Sequence, residues 1–184
     1  MDTVGDGLET VLQKAFTRPV PKSAGARMRY LVKQLKGTRA VADLLGISQR
    51  TVERYVKDQI RRPRKELADR LEREVRSRWQ PQVRAKARRQ AATTDGIVID
   101  TRARFGYTAA PGSTDDARLR HLTVALPPQY AARLFEARDR GATEQQLRDI
   151  AAEGLGEIYF RDSGRRAHGL LVEFTDVEHV EFDL

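Results

Sequence analysis

The chain is expected to be α+β, with an all-α N-terminal region that carries a helix-turn-helix and a long basic helix, and a small α+β domain after it. Three observations lead there. Apolar residues recur at helical spacing through the first half. Alternating β-branched and aromatic runs begin only after Thr93-Thr94-Asp95-Gly96. Charge divides at the same place, because residues 1–94 hold 23 Lys and Arg against 10 Asp and Glu, whereas residues 95–184 hold 11 against 16. The domains are therefore assigned to 1–94 and 95–184.

The elements follow in order. Val4, Leu8, Val11, Leu12, Ala15 and Phe16 mark a first helix, and Thr17-Arg18-Pro19-Val20-Pro21 stops it, since proline lacks the amide donor and restricts its predecessor. Met28, Leu31, Val32 and Leu35 give a second helix that ends at Gly37, and two short helices come next. Leu67, Leu71, Val75 and Trp79 line one side of a basic helix expected to reach about Gln80. Beyond Pro81, Arg84-Ala85-Lys86-Ala87-Arg88-Arg89 has too little apolar surface for a core. It is expected to be an exposed helix or a linker, serving as an arm for phosphates.

In the second half, Ile97 to Tyr107 and Leu119 to Leu126 alternate as strands on either side of a loop at Ala109 to Asp116. Pro127-Pro128 opens a helix that ends at Gly141, and Thr143-Glu144-Gln145-Gln146 is a capping box for the next. Ile158-Tyr159-Phe160, Leu170 to Phe174 and Val177 to Phe182 are expected as three further strands.

Composition excludes several classes. With no cysteine among 184 residues there is no disulfide framework, no thiolate metal site and no cysteine nucleophile, which fits a reducing compartment. No apolar run reaches the roughly 18 residues of a membrane span, and Asp2, Asp6 and Glu9 stand where a signal peptide carries cations. A cytoplasmic, nucleoid-associated protein is expected. A basic half of this strength releases counterions on meeting a polyphosphate, so nucleic acid is the leading partner and an anionic membrane the second; the alternative without a partner is a solvated charged surface.

The segment Thr38 to Lys57 decides among these. It matches a helix-turn-helix position by position: Ala42 is small where two helices cross, Gly46 permits the turn, and Val41, Leu45, Ile47, Val52 and Tyr55 or Val56 form a shared core. Ser48 caps the second helix. That helix then presents Gln49, Arg50, Thr51, Arg54 and Lys57 to DNA, with Arg61, Arg62, Arg64 and Lys65 following directly. Gln and Arg are the residue types that pair bidentately with adenine and guanine.

Other chemistry finds little support. No glycine-rich turn ends in Gly-Lys-Ser/Thr, and His121, His168 and His179 form no zinc spacing. Glu173, Asp176, Glu178, Glu181 and Asp183 match no calcium loop and are expected to form an acidic solvated edge or a contact for a basic partner. By local pattern Ser113-Thr114-Asp115-Asp116 is a turn or cap.

With the helix-turn-helix at Thr38 to Lys57, the basic helix and the Gly112-Ser113-Thr114-Asp115-Asp116 loop together, the whole chain resembles the Tpg-type terminal proteins that cap the 5′ ends of linear streptomycete chromosomes and plasmids. The resemblance implies a protein primer: the hydroxyl of Thr114 replaces the 3′-hydroxyl of a nucleic-acid primer, bonds the first deoxynucleotide and stays on the 5′ end. It implies telomeric DNA, a telomere-associated protein and a DNA polymerase as partners. The chain would be a nucleotide acceptor rather than an enzyme, with no catalytic residue, metal or cofactor of its own. Mg2+ and the dNTP would be supplied at the polymerase site. Asp115 and Asp116 are candidates for orienting the metals or the polymerase, and Ser113, Thr108 and Tyr107 are the competing hydroxyls. The alternative is a helix-turn-helix transcriptional regulator whose residues 95–184 dimerise or sense a ligand.

Overall fold

The computed structural model describes residues 3–108, 118–160 and 171–184. Eight α-helices and one three-stranded antiparallel sheet make it α+β among these residues. The helices are α1 (Val4–Lys14), α2 (Ala24–Leu35), α3 (Thr38–Leu45), α4 (Gln49–Val56), α5 (Lys65–Arg78), α6 (Pro81–Gln90), α7 (Pro128–Asp139) and α8 (Glu144–Leu155). The strands are β1 (Ile97–Thr108), β2 (Arg118–Leu126) and β3 (Leu171–Asp183), with β1 central between the other two.

Contacts divide the chain into one unit over Thr17–Pro81 and a second over Met1–Phe16 with Gln82–Leu184. The boundary that composition places at 94/95 is thus not where the chain divides. The first helix belongs with the sheet, and so does α6 from Gln82 onward. The reason is visible in α1: Val4, Leu8, Val11 and Leu12 are buried in the same cluster as Ile99, Phe105, Val180 and Phe182. Its first amides donate to Glu144, Val4 N at 2.8 Å and Gly5 N at 3.2 Å, and Lys14 at its other end reaches Glu181 at 2.6 Å.

In the sheet unit, Ile97, Ile99, Thr101, Ala103 and Phe105 of β1 alternate inward, and Leu122, Val124 and Leu126 of β2 continue the apolar face. Helices α1, α7 and α8 supply the rest of that core, through Tyr130, Leu134, Leu147 and Leu155 among others. The capping box at Thr143 and Gln146 is present, and α7 begins at Pro128 as expected. Two expected strands are corrected. Ile158-Tyr159-Phe160 lies in a π-helical turn, Gly156–Phe160, because Gly156 keeps right-handed helical dihedrals and α8 simply runs on. Leu170 to Phe174 and Val177 to Phe182 are not two strands either. From Leu171 onward they form the single β3, whose pairing to β1 shifts between Arg102 and Arg104. That irregularity switches the inward parity, so Val177 and Val180 are both buried at a spacing of three.

The unit over Thr17–Pro81 has its own core: Met28 and Leu31 of α2, Val41, Ala42 and Leu45 of α3, Val52 and Tyr55 of α4, Leu71 and Val75 of α5. Its two ends are tied together. Thr17 N donates to Gln80 Oε1 at 3.1 Å, Trp79 Nε1 donates to the Arg18 carbonyl at 3.1 Å, and Tyr30 packs edge-on against Trp79 with ring centres 4.8 Å apart.

Candidate nucleic-acid interface

Helices α3 and α4 are joined by Gly46-Ile47-Ser48. Gly46 adopts φ +63°, the left-handed conformation that a side chain resists, and its amide bonds back to the Ala42 and Asp43 carbonyls. From α5, Arg70 Nη1 donates to the Leu45 carbonyl at 2.6 Å and closes the end of α3. Ser48 then caps α4, its hydroxyl accepting from Thr51 N at 3.2 Å. At the far end of α4, Arg29 Nη1 donates to the Val56 carbonyl at 2.9 Å and to Asp58 at 2.8 Å. Each turn is held by a group outside the two helices, so α4 is fixed at both termini.

Val52 and Tyr55 turn α4 inward; burial raises the Tyr55 phenol and keeps it protonated. Gln49, Arg50, Arg54 and Lys57 are exposed on the opposite side, and Thr51 is half-buried beside the cap. Arg61, Arg62, Arg64 and Lys65 are exposed in the segment that leads into α5. None of these cations forms an ion pair among the described residues, whereas Arg27, Arg29, Arg76 and Arg78 of the same unit do. The unit carries 18 Lys and Arg against 7 Asp and Glu. The exposed cations are thus held near a fixed helix with no carboxylate paired to them among the described residues, an arrangement that attracts a polyanion.

Gln49 differs from what its residue type suggests. Its Nε2 donates to Thr38 Oγ1 at 3.0 Å and to Glu53 Oε1 at 3.1 Å, so both amide hydrogens are engaged within the unit. Thr38 and Glu53 belong to this site and escape a search for cations. The i, i+4 spacing of Gln49 and Glu53 on α4 is the signal that could have found the second of them.

The basic run 84–89 is helical, and it is only partly an arm for phosphates. Arg84 is buried and gives a two-pronged hydrogen bond to Glu9, both contacts at 2.8 Å. Arg138 of α7 meets the same carboxylate at 3.2 Å. Burial pushes the Glu9 carboxyl up, but the hydrogen bonds and charge of Arg84, with Gln13 and Arg138, bring it below the ordinary range. Arg88 pairs with Asp139 and lies over the Phe135 ring. Charged atoms here replace the apolar surface the run lacks.

Of the acidic tail, Glu181 and Asp183 face Lys14, and Glu178 pairs with Arg102 at 3.0 Å. On the sheet face opposite the core, His121 and His179 flank Asp100 at 3.0 and 3.6 Å. Hydrogen bonds from Thr123 and then His121 hold that carboxyl low. Sequence spacing does not reveal this grouping, because strand pairing makes it. Among the described residues no set of three His, Cys, Asp or Glu could hold a metal ion, and no helix is long and apolar enough to cross a membrane.

Thr114, Asp115 and Asp116 lie outside the described residues, as do Ser113 and His168. The described chain leaves β1 at Thr108 and re-enters β2 at Arg118. Comparison with protein-family models, with curated proteins and with solved structures finds no match for the chain.

Proposed function

We propose that the chain is a DNA-binding protein whose Thr17–Pro81 unit works as a helix-turn-helix, and more particularly a telomere terminal protein that primes DNA synthesis from Thr114. The first part is supported by one observation above all: α4 is capped by Ser48, anchored at its far end by Arg29, and exposes Arg50, Arg54 and Lys57 without carboxylate partners among the described residues. In this reading α4 enters the major groove, and Arg61, Arg62, Arg64 and Lys65 meet phosphates beside it. Its residence would be the cytoplasm, on the nucleoid.

The second part rests on the resemblance carried by Gly112-Ser113-Thr114-Asp115-Asp116. Thr114 Oγ1 attacks the α-phosphorus of the first dNTP, a cytidylate by the same resemblance. The bond to pyrophosphate breaks, and the hydroxyl proton passes to the medium. The polymerase supplies Mg2+ and the dNTP, and a telomere-associated protein presents the overhang. Asp115 and Asp116 orient the metals or the polymerase, so Asn at both positions slows transfer and leaves DNA binding unchanged.

Peptide mapping by mass spectrometry tests the priming role, after wild type and Thr114→Ala are incubated with template, dNTPs, Mg2+, polymerase and partner protein. A nucleotide adduct on the Thr114 peptide, absent from the variant, is expected. An adduct on Ser113, Thr108 or Tyr107 moves the site. No adduct on any hydroxyl, with polymerase and partner demonstrably active, returns the chain to the regulator class.

A further inference from the structure

Gln49 and Glu53 carry an inference about which bases α4 reads, and it rests on the DNA-binding reading above. A carboxylate only accepts hydrogen bonds, so the Gln49 group facing Glu53 Oε1 at 3.1 Å must be the amide nitrogen. The second hydrogen of that nitrogen goes to Thr38 Oγ1 at 3.0 Å. With both donors engaged, what the pair has left for a ligand is Gln49 Oε1 and the second Glu53 oxygen. Gln49 is exposed and Glu53 half-buried, one turn apart on α4. The usual bidentate contact of glutamine with adenine needs one donor and one acceptor, and here the donor is spent.

We propose that Gln49 and Glu53 form an all-acceptor reader that selects the strand carrying an exocyclic amine, adenine N6 or cytosine N4, at one base step of the major groove. Those amines are the only major-groove donors that the four bases offer. Thymine O4 and guanine O6 would set acceptor against acceptor, so the wrong strand orientation is rejected as well as the right one favoured. Thr38 is a positioning residue: by accepting from Nε2 it holds the amide so that Oε1 is the atom presented.

The test uses the full chain and duplexes selected from a randomised pool. Each adenine or cytosine of the selected site is replaced in turn by purine riboside or 2-pyrimidinone, which lack the exocyclic amine. Wild type should lose about tenfold in affinity at one position, and the Gln49→Ala Glu53→Ala variant, shown folded by circular dichroism, should not respond there. Glu53→Gln, which restores a donor, should relax the preference towards thymine or guanine at that position. The dependence of affinity on salt should be the same for all three proteins, because none of these changes removes a cation. Salt-dependent binding by wild type that ignores amine removal throughout the site overturns the inference and leaves the DNA-binding reading standing. Absence of salt-dependent binding by the full chain overturns that reading, and the inference with it.

Discussion

The two units of this chain put many of their arginines to different use. Over Thr17–Pro81 the cations of α4 and of Arg61 to Lys65 stand exposed without ion pairs among the described residues, and the paired ones serve the scaffold. In the sheet unit, Arg84, Arg88, Arg102, Arg133, Arg138, Arg140 and Arg148 each meet a carboxylate. The difference teaches that local basicity does not mark a polyanion site by itself. Arg84 to Arg89 is as basic as Arg61 to Lys65, yet Arg84 is 11% exposed at its side chain and belongs to an internal triad with Glu9 and Arg138.

The contrast is broken most severely at Glu9. Glu9→Ala takes from the buried Arg84 and the half-buried Arg138 the carboxylate that both meet, and should cost the sheet unit about 3 kcal/mol, read as a loss in chemical denaturation. DNA affinity measured below that transition should not change. An equal effect of Glu9→Ala on DNA binding would mean that the units are not separate in function.

Next in size is Arg50→Ala with Arg54→Ala. Affinity for duplex DNA should fall by about a hundredfold, and the slope of log affinity against log salt should shrink by roughly 2. Acceptor activity at saturating template should survive. Arg84→Ala should leave that slope unchanged, since its charge is already neutralised by Glu9. A slope that falls with Arg84→Ala would erase the distinction between exposed and internal cations.

Ser48→Ala removes the cap of α4 and should destabilise the helical unit by about 1 kcal/mol, lowering Tm by several degrees. The smallest effect is that of pH. Glu9 has a folded pKa below its unfolded value of 4.5, so its stabilisation is complete above that pH and is lost as pH falls through the folded value. Acid titration of the sheet unit below pH 4.5 should therefore show a loss that Glu9→Gln flattens.

How much of this was legible beforehand varies by element. Helices α1 to α5, α7 and α8 and the strands β1 and β2 could be read, because each carries its own apolar period and its own stop: Pro19, Gly37, Gly46 and Gly141 among them. The candidate interface was legible to the extent that it is local. Ser48, Gln49, Arg50, Arg54 and Lys57 follow from the spacing within twenty residues around one glycine turn. The acceptor pair of Gln49 and Glu53 was not, since an amide shows its orientation only through its partners.

The fate of long-range groups was less legible still. Ile158 to Phe160 has strand composition, but it pairs with no strand among the described residues and continues the preceding helix as a π-helical turn. The first helix reads as part of the basic half, and only its packing on β3 and its amide bonds to Glu144 show otherwise. Asp100, His121 and His179 meet because three strands pair in a given register, which no single segment encodes.

By itself the sequence determined the α+β class, most helix limits and the turn between α3 and α4, along with a net charge of +8 unevenly spread. These depend on side-chain period, caps and glycine dihedrals, interactions that reach no further than a turn or two of chain. Tertiary structure alone decided that the units divide at Thr17 and Pro81, that Arg84 is internal while Arg61 to Lys65 are exposed, and which donors of Gln49 are spent. The physical reason is that a charge or a polar atom is free or spent according to what lies across from it, and that neighbour is brought there by the fold.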